Sequence, residues 1–338
     1  MVHAGNRKIA NKEQSPRVAE FREELRRKIA AHAPNAGAHA TAMLGLTLFR
    51  RTATSPCYPV TGEPSLNVFV QGRKRITLAG TTYLCDASTF LLFSVDVPVV
   101  SQIVAASEDM PLLSLLLKLD MAVVREILSQ EEFHVPDGSA PARGITIGKT
   151  TVDLLKPCCR LLDLLDAPGD IPFLGNLIQR EILYRLLRGP QGERLRAIAT
   201  LGHQSHRTAK AIAWLRANYM KPLRVEELAE IARMGMSTLH HHFRALTALS
   251  PLQYQKQLRL VAARERMLGE GLDAASAAFE VGYESASQFN RIQTLLRSTA
   301  DAGHQSASAG RLRNGQRLTT CRSFCPDRRQ TRRNQVPL

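Results

Sequence analysis

The sequence predicts an α+β protein, with a β-barrel or jelly-roll unit in the amino-terminal half and an all-α unit holding two helix-turn-helix segments behind it. Three observations carry this. Between Met43 and Leu119, short apolar runs (LGLTLF, SLNVFV, RKRITLA, TYLC, TFLLFSV, VPVVSQIV and PLLSLLLKL) alternate with turn residues, which suits a sandwich or barrel of short strands. From Asp120 the apolar period turns helical. Further on, two patterns of a short helix, a glycine break and a second short helix follow one another.

The elements follow in chain order. Residues 17–31 read as one amphipathic helix, and PNAGAHA after it as a link, so 1–40 form an amino-terminal helix and linker. Residues 41–190 hold the strands and the helices expected to cover them: MAVVREILSQEEF, TVDLLKPCCRLLDLLD and IPFLGNLIQREILYRLLRG. The last has Pro172 near its start and Gly189 at its end, the placement that helix termini favour. PQGERLRAIATLGHQS reads as a linker, residues 203–291 as the helical unit, and 292–338 as a disordered basic tail without apolar period.

The 338 residues are 44% hydrophobic, as expected of a globular chain. No apolar run approaches the ~18 residues of a membrane span, and the amino end lacks a secretory pattern. A cytoplasmic protein without a membrane partner is expected. The net charge of +15 is uneven: residues 41–202 carry 16 basic and 16 acidic side chains, 203–291 carry 12 and 8, and 292–338 carry 9 and 2. A basic half joined to a neutral one fits a nucleic-acid partner. Of the six cysteines, Cys57, Cys85, Cys158, Cys159, Cys321 and Cys325, none forms a CxxC pair. They read as core or incidental thiols rather than a metal or redox site.

Residues 225–248 give the first DNA-facing candidate. Leu228, Ile231 and Ala232 share one helix face, Met234-Gly235-Met236 breaks that helix, and Ser237 opens the next. At about 100° per residue, Leu239, Phe243 and Leu246 form its inner stripe, while Ser237, His241 and Arg244 face outward and His240 sits at the flank. Firm apolar anchors under a donor-rich outer face suit major-groove reading. Consecutive His240, His241 and His242 point apart on a helix and do not share one metal ion.

Residues 252–268 read as a longer helix with Tyr254, Leu258, Val261 and Leu268 at helical spacing, able to hold two units at a fixed distance. The second unit is DAASAAFEVGYESASQFNR, residues 273–291. Ala277, Ala278 and Val281 pack, Gly282 turns, Ser285 caps and Phe289 anchors, leaving Ser287 and Arg291 on the outer face.

LAEIARMGMSTLHHHFRALTALSPLQYQKQLRL followed by AASAAFEVGYESASQFNR resembles the DNA-binding domain of the AraC/XylS regulators, across both units. EPSLNVFVQGRKRITLAGTTYLCDASTFLLFSVDVPV resembles the cupin-like sensor domain of one branch of that family. The resemblance implies a cupin-like ligand-sensing and dimerisation domain over 41–190 and an AraC-type DNA-binding domain over 203–291. It implies that Ser237, Thr238, His240, His241, Arg244, Ser287, Gln288 and Arg291 face double-stranded DNA, in successive grooves ~34 Å apart. It also implies a homodimer, RNA polymerase as a partner, and activation of transcription in response to a small-molecule effector.

Two departures stand out. Gly235 takes a position that is usually Ser, at a cost of a few tenths of a kcal/mol, roughly. After Arg291 the family pattern stops: Gln293 falls on the buried stripe below Phe289, where an aromatic is expected. Codons able to encode IQTLLRSTADAGHQ, read in another frame after a GA prefix, give Glu-Tyr-Arg-Arg-Phe-Phe-Gly-Ala-Pro-Pro-Met-Arg-Asp-Ile, which is family-like. The tail is therefore read as frameshifted, and a defective or dominant-negative regulator is the alternative function.

For the sensor, no histidine lies between His39 and His134, so no metal is expected, nor any cofactor. A metal-free cupin enzyme is the remaining alternative, but no catalytic cluster points to it. Tyr58, Phe69, Tyr83, Phe90 and Phe93 are the aromatic candidates for an effector pocket, and Cys57 or Cys85 for reaction with an electrophile.

Overall fold

In the computed structural model, residues 3–130 and 143–283 are described, with side chains from residue 16 onward. The chain opens with helix α1 (His3–His32), longer than the 17–31 expected. Ten strands follow: β1 (Gly37–Ala40), β2 (Leu46–Arg51), β3 (Tyr58–Gly62), β4 (Ser65–Gln71), β5 (Arg73–Leu78), β6 (Thr81–Cys85), β7 (Thr89–Phe93), β8 (Val97–Ala105), β9 (Leu112–Lys118) and, after helix α2 (Met121–Gln130), β10 (Ile145–Lys149). They form two antiparallel sheets, β1-β2-β9-β4-β7-β10 and β3-β8-β5-β6, which is the expected jelly-roll-like sandwich.

The six-stranded sheet is buried on both faces, so its central strands are apolar almost without alternation. In β4 and β7, Leu66, Val68, Val70, Phe90 and Leu92 join a core with Leu25 and Ile29 of α1. Phe69, Leu91 and Phe93 on the same strands join a second core between the sheets. Helices α3 (Val152–Asp163) and α4 (Asn176–Arg188) complete the outer layer: Leu155, Cys158, Leu161 and Leu162 of α3 and Ile182, Leu183 and Leu187 of α4 sit in the α1 core. A π turn, Ile171–Gly175, leads into α4.

Two segments read as linkers are structural. Gly37–Ala40 pairs as β1 along β2, because β2 offers an open sheet edge there. Residues 190–205 contain helix α5 (Glu193–Ala199), with Leu195, Ala197, Ile198 and Ala199 buried. Ile198 lies in the inter-sheet core and Leu195 in the helical one, so α5 bridges both.

The helical unit comprises α6 (Gln204–Ala217), α7 (Val225–Ala232), α8 (Met236–Thr247), α9 (Pro251–Gly269) and α10 (Ala274–Glu280). It is not a separate body beside the sandwich. Val95 and Val97 share one buried cluster with Ile212 and Leu215 of α6, Phe243 of α8 and Tyr254 of α9. Arg216 forms ion pairs with Glu63 and Asp96 across this junction, and Lys118 reaches Glu63 at 2.8 Å. The Tyr254 hydroxyl donates to the Asp96 carbonyl at 2.9 Å.

The sheets approach closely at Gly62 of β3, where a Cβ would stand 2.2 Å from the Phe93 ring. Overpacking of this kind costs about 1–3 kcal/mol. Gly62→Ala is expected to lower unfolding stability by that amount, read as a fall in the urea midpoint at unchanged m-value; an unshifted midpoint contradicts the packing.

Candidate nucleic-acid interface

Helix α7 ends because Arg233 turns left-handed (φ 51°), which lets Arg233 and Met234 amides close onto Glu230 and Ala229 carbonyls. Gly235 then takes the N-cap in extended backbone (φ −65°, ψ 150°) without a side-chain cap bond. The break thus falls at 233–235, and α8 starts at Met236, one residue before the expected Ser237. Gly235 stands where the sequence put the cap.

Leu239 and Phe243 are fully buried and Leu246 nearly so. Ser237, Thr238, His240, His241 and Arg244 are all exposed. The helix therefore presents the polar side expected of it, on anchors that hold it in place. Phe243 meets the Tyr254 ring edge to face, 5.3 Å between centroids. Burial holds the Tyr254 hydroxyl well above its usual pKa range, so it stays a neutral donor to Asp96. The remaining histidine, His242, is half-buried at the inner edge of α8, its ring 5.2 Å from that of His241. Among the described residues no cluster of three or more His, Cys, Asp or Glu could hold a metal.

Helix α9 opens with a full capping box: Ser250 Oγ accepts from the Gln253 amide at 3.3 Å and Gln253 Oε1 from the Ser250 amide at 3.0 Å. Tyr254, Leu258 and Val261 are buried as expected, but Leu268 is 65% exposed. A single stripe fails because α9 serves two partners on different faces. Tyr254 and Leu258 pack on the first unit, while Ala263 and Met267 pack with Ala277, Ala278, Val281 and Tyr283 of the second.

In the second unit Asp273 caps α10 by accepting from the Ala275 and Ser276 amides at 2.8 and 3.0 Å. Gly282 has φ +90°, and a Cβ there would stand 2.2 Å from the Met220 carbonyl oxygen, so the turn admits only glycine without rearrangement. Ser285, Ser287, Gln288, Phe289, Arg291 and Gln293, and the tail 292–338, lie outside the described residues.

The five aromatic candidates for an effector pocket do not converge. Phe69 and Phe93 lie in the inter-sheet core, and Tyr83 packs against it half-buried. Phe90 belongs to the helix-side core, because it alternates with Leu91 on β7. Tyr58 lies under the Arg264 guanidinium of α9, 5.3 Å from its ring centre. Burial pushes the Cys85 thiol up to about 12 and raises Cys158 and Cys159 as well, which runs against the reactivity considered for Cys85.

Comparison with known proteins covers both halves. A family model of the AraC-type transcriptional regulator N-terminus matches residues 42–194, and one of a helix-turn-helix domain matches 228–294. The HTH-type transcriptional activator RhaS of Salmonella schwarzengrund (strain CVM19633) is 24% identical over 175 residues, 51% of this chain. RhaS of Salmonella newport (strain SL254) matches to the same extent. The chain spans 59% of the length of these curated relatives. Among solved structures, an apo single-residue variant of ToxT from Vibrio cholerae strain SCE256 superposes with a TM-score of 0.52, at 9% identity, over 77% of this chain and 95% of that one. At that identity the match speaks to the fold. Among the described residues no helix is long and apolar enough to cross a membrane.

Burial first, and then His241, His203 and Arg194 nearby, hold His242 below its ordinary pKa of 6.5. A histidine whose pKa is depressed in the folded state gives stability that is present above 6.5 and lost as pH falls through the folded value. His242→Gln is therefore expected to flatten the acid side of the stability profile below pH 6.5, measured by thermal unfolding across pH; an identical slope contradicts this.

Proposed function

The chain belongs to the AraC/XylS family of transcriptional regulators, and from that premise we propose that it is a sequence-specific DNA-binding regulator that activates transcription in response to a small molecule. The observation that carries this is α8, whose Ser237, Thr238, His240, His241 and Arg244 stand exposed over buried Leu239, Phe243 and Leu246. Docking of the helical unit uses α6, α9 and the inner side of α8, so it leaves this face open to a duplex. Ser287, Gln288 and Arg291 take the equivalent part in the second unit.

The sandwich is the effector domain in this reading, with Phe69, Tyr83 and Phe93 nearest its interior. The π turn and start of α4 expose Phe173 and Leu177. Such a patch supports a homodimer formed along the α3 and α4 side. RNA polymerase is the further partner, and the cytoplasm the place of action. A second reading is favoured by the loss of family pattern after Arg291: if 292–338 are out of frame, the second unit lacks its closing core, and the chain dimerises while gripping DNA poorly.

A gel shift on the upstream intergenic region at ~100 mM salt tests both. The chain is expected to shift that DNA specifically, and His241→Ala and Arg244→Ala each to weaken the shift by about 1–3 kcal/mol at unchanged thermal stability. Absence of a shift that returns when the alternative frame replaces 292–338 selects the second reading; absence in both forms overturns the regulator.

A further inference from the structure

The outer face of α8 carries imidazoles and a guanidinium and no carboxylate. No Asp or Glu occurs between Glu230 and Glu265, so the turn before α8, α8 itself and α9 as far as Arg264 hold no negative side chain. His240 and His241 are exposed, and Arg244 stands exposed one turn further along. Among the described residues no carboxylate pairs with any of the three histidines of α8. Glu226, Glu227 and Glu230 of the adjoining α7 are exposed and form no ion pair with described residues.

His242 differs from the other two. It is half-buried, and the charged groups that act on it are basic: His241 on α8, His203 at the start of α6 and Arg194 on α5. Burial and these neighbours favour its neutral form at pH 6.5. Its ring stands edge-on to that of His241, 5.2 Å away at an interplanar angle of 87°. A neutral ring in that place spares His241 a like charge at its side.

An imidazole in water titrates near 6.5, so only a small fraction is charged at neutral pH. Neutral, it offers one donor and one acceptor; charged, it offers two donors and no acceptor. A duplex presents phosphate oxygens along its strands and guanine N7 in the major groove, and both are acceptors. Contact with them stabilises the charged form and raises the pKa of the contacting ring. By linkage, each unit of rise makes binding about tenfold tighter at low pH than at high.

We propose that His240 and His241 read DNA as imidazolium, donating to phosphate oxygens or guanine N7, so that DNA binding takes up protons. This rests on the reading of α8 as the DNA-facing helix and adds the chemical state in which that helix reads.

Binding of the full chain to the upstream intergenic DNA at ~100 mM salt, followed by fluorescence anisotropy from about pH 7.5 to about pH 6.0, tests this. Circular dichroism checks that the chain is folded at both ends of the range. Affinity is expected to rise at least about fivefold as pH falls across the interval. The chain carrying both His240→Gln and His241→Gln is expected to change less than about twofold. Calorimetry in two buffers of different ionisation enthalpy is expected to count about one proton taken up per chain bound midway in that range, most of it lost in the double variant. DNA with 7-deazaguanine in place of guanine separates the two acceptors: a pH dependence that vanishes assigns the contact to N7, and one that persists assigns it to phosphate. Binding indifferent to pH, or a pH dependence that the double variant retains, overturns the proposal and leaves the regulator reading standing. No binding at any pH, with either frame of 292–338, overturns both.

Discussion

The arrangement of the molecule depends on one buried ring. Tyr254 has no solvent exposure, meets Phe243 of α8 edge to face, and gives its hydroxyl to the backbone of Asp96 in the sandwich. Its aromatic body belongs to the helical unit and its polar tip to the β unit. A phenol suits this position because a buried hydroxyl must find an acceptor, and the Asp96 carbonyl stands at the point where β8 begins. Arg216 reinforces the junction from α6 through Glu63 and Asp96. The anchor of the first helix-turn-helix unit is thus also the fastening between the two halves.

Much of this was legible in the sequence, for identifiable reasons. Seven of the strands were marked by apolar runs between turns. β1, β3 and β10 were not: GAHA is short and lies on a sheet edge, YPVTG carries a proline and a glycine, and ITIGK follows a stretch with no period to frame it. α5 was taken for a linker because ERLRAIA is only seven residues long, too few to establish a helical period. Helix α8 was placed to within one residue because Leu239, Phe243 and Leu246 leave a single possible inner face. The capping box of Ser250 and Gln253 went unread, although a Ser followed three residues later by Gln is its usual signature.

The β half was harder to read because its large sheet is buried on both faces. Where both faces are buried, an aromatic residue in a strand says nothing about which side it points to until register is known. Phe90 and Phe93, three residues apart on β7, end up in different cores.

The inter-sheet core does not stop at the edge of the sandwich. It runs from Phe69 and Val97 through Ile212 and Leu215 to Leu239 and Tyr254 as one buried cluster, with the Arg216 ion pairs to Glu63 and Asp96 at the same junction. Such a chain is not modular in the usual sense of beads on a string. A fragment cut near residue 203 would carry with it the apolar sides of α6 and α9 stripped of their cover. A chimaera joining its β unit to a foreign helical unit would need the seam recut on both sides. Melting of either half removes support from the other, so the two are expected to have been retained as a pair.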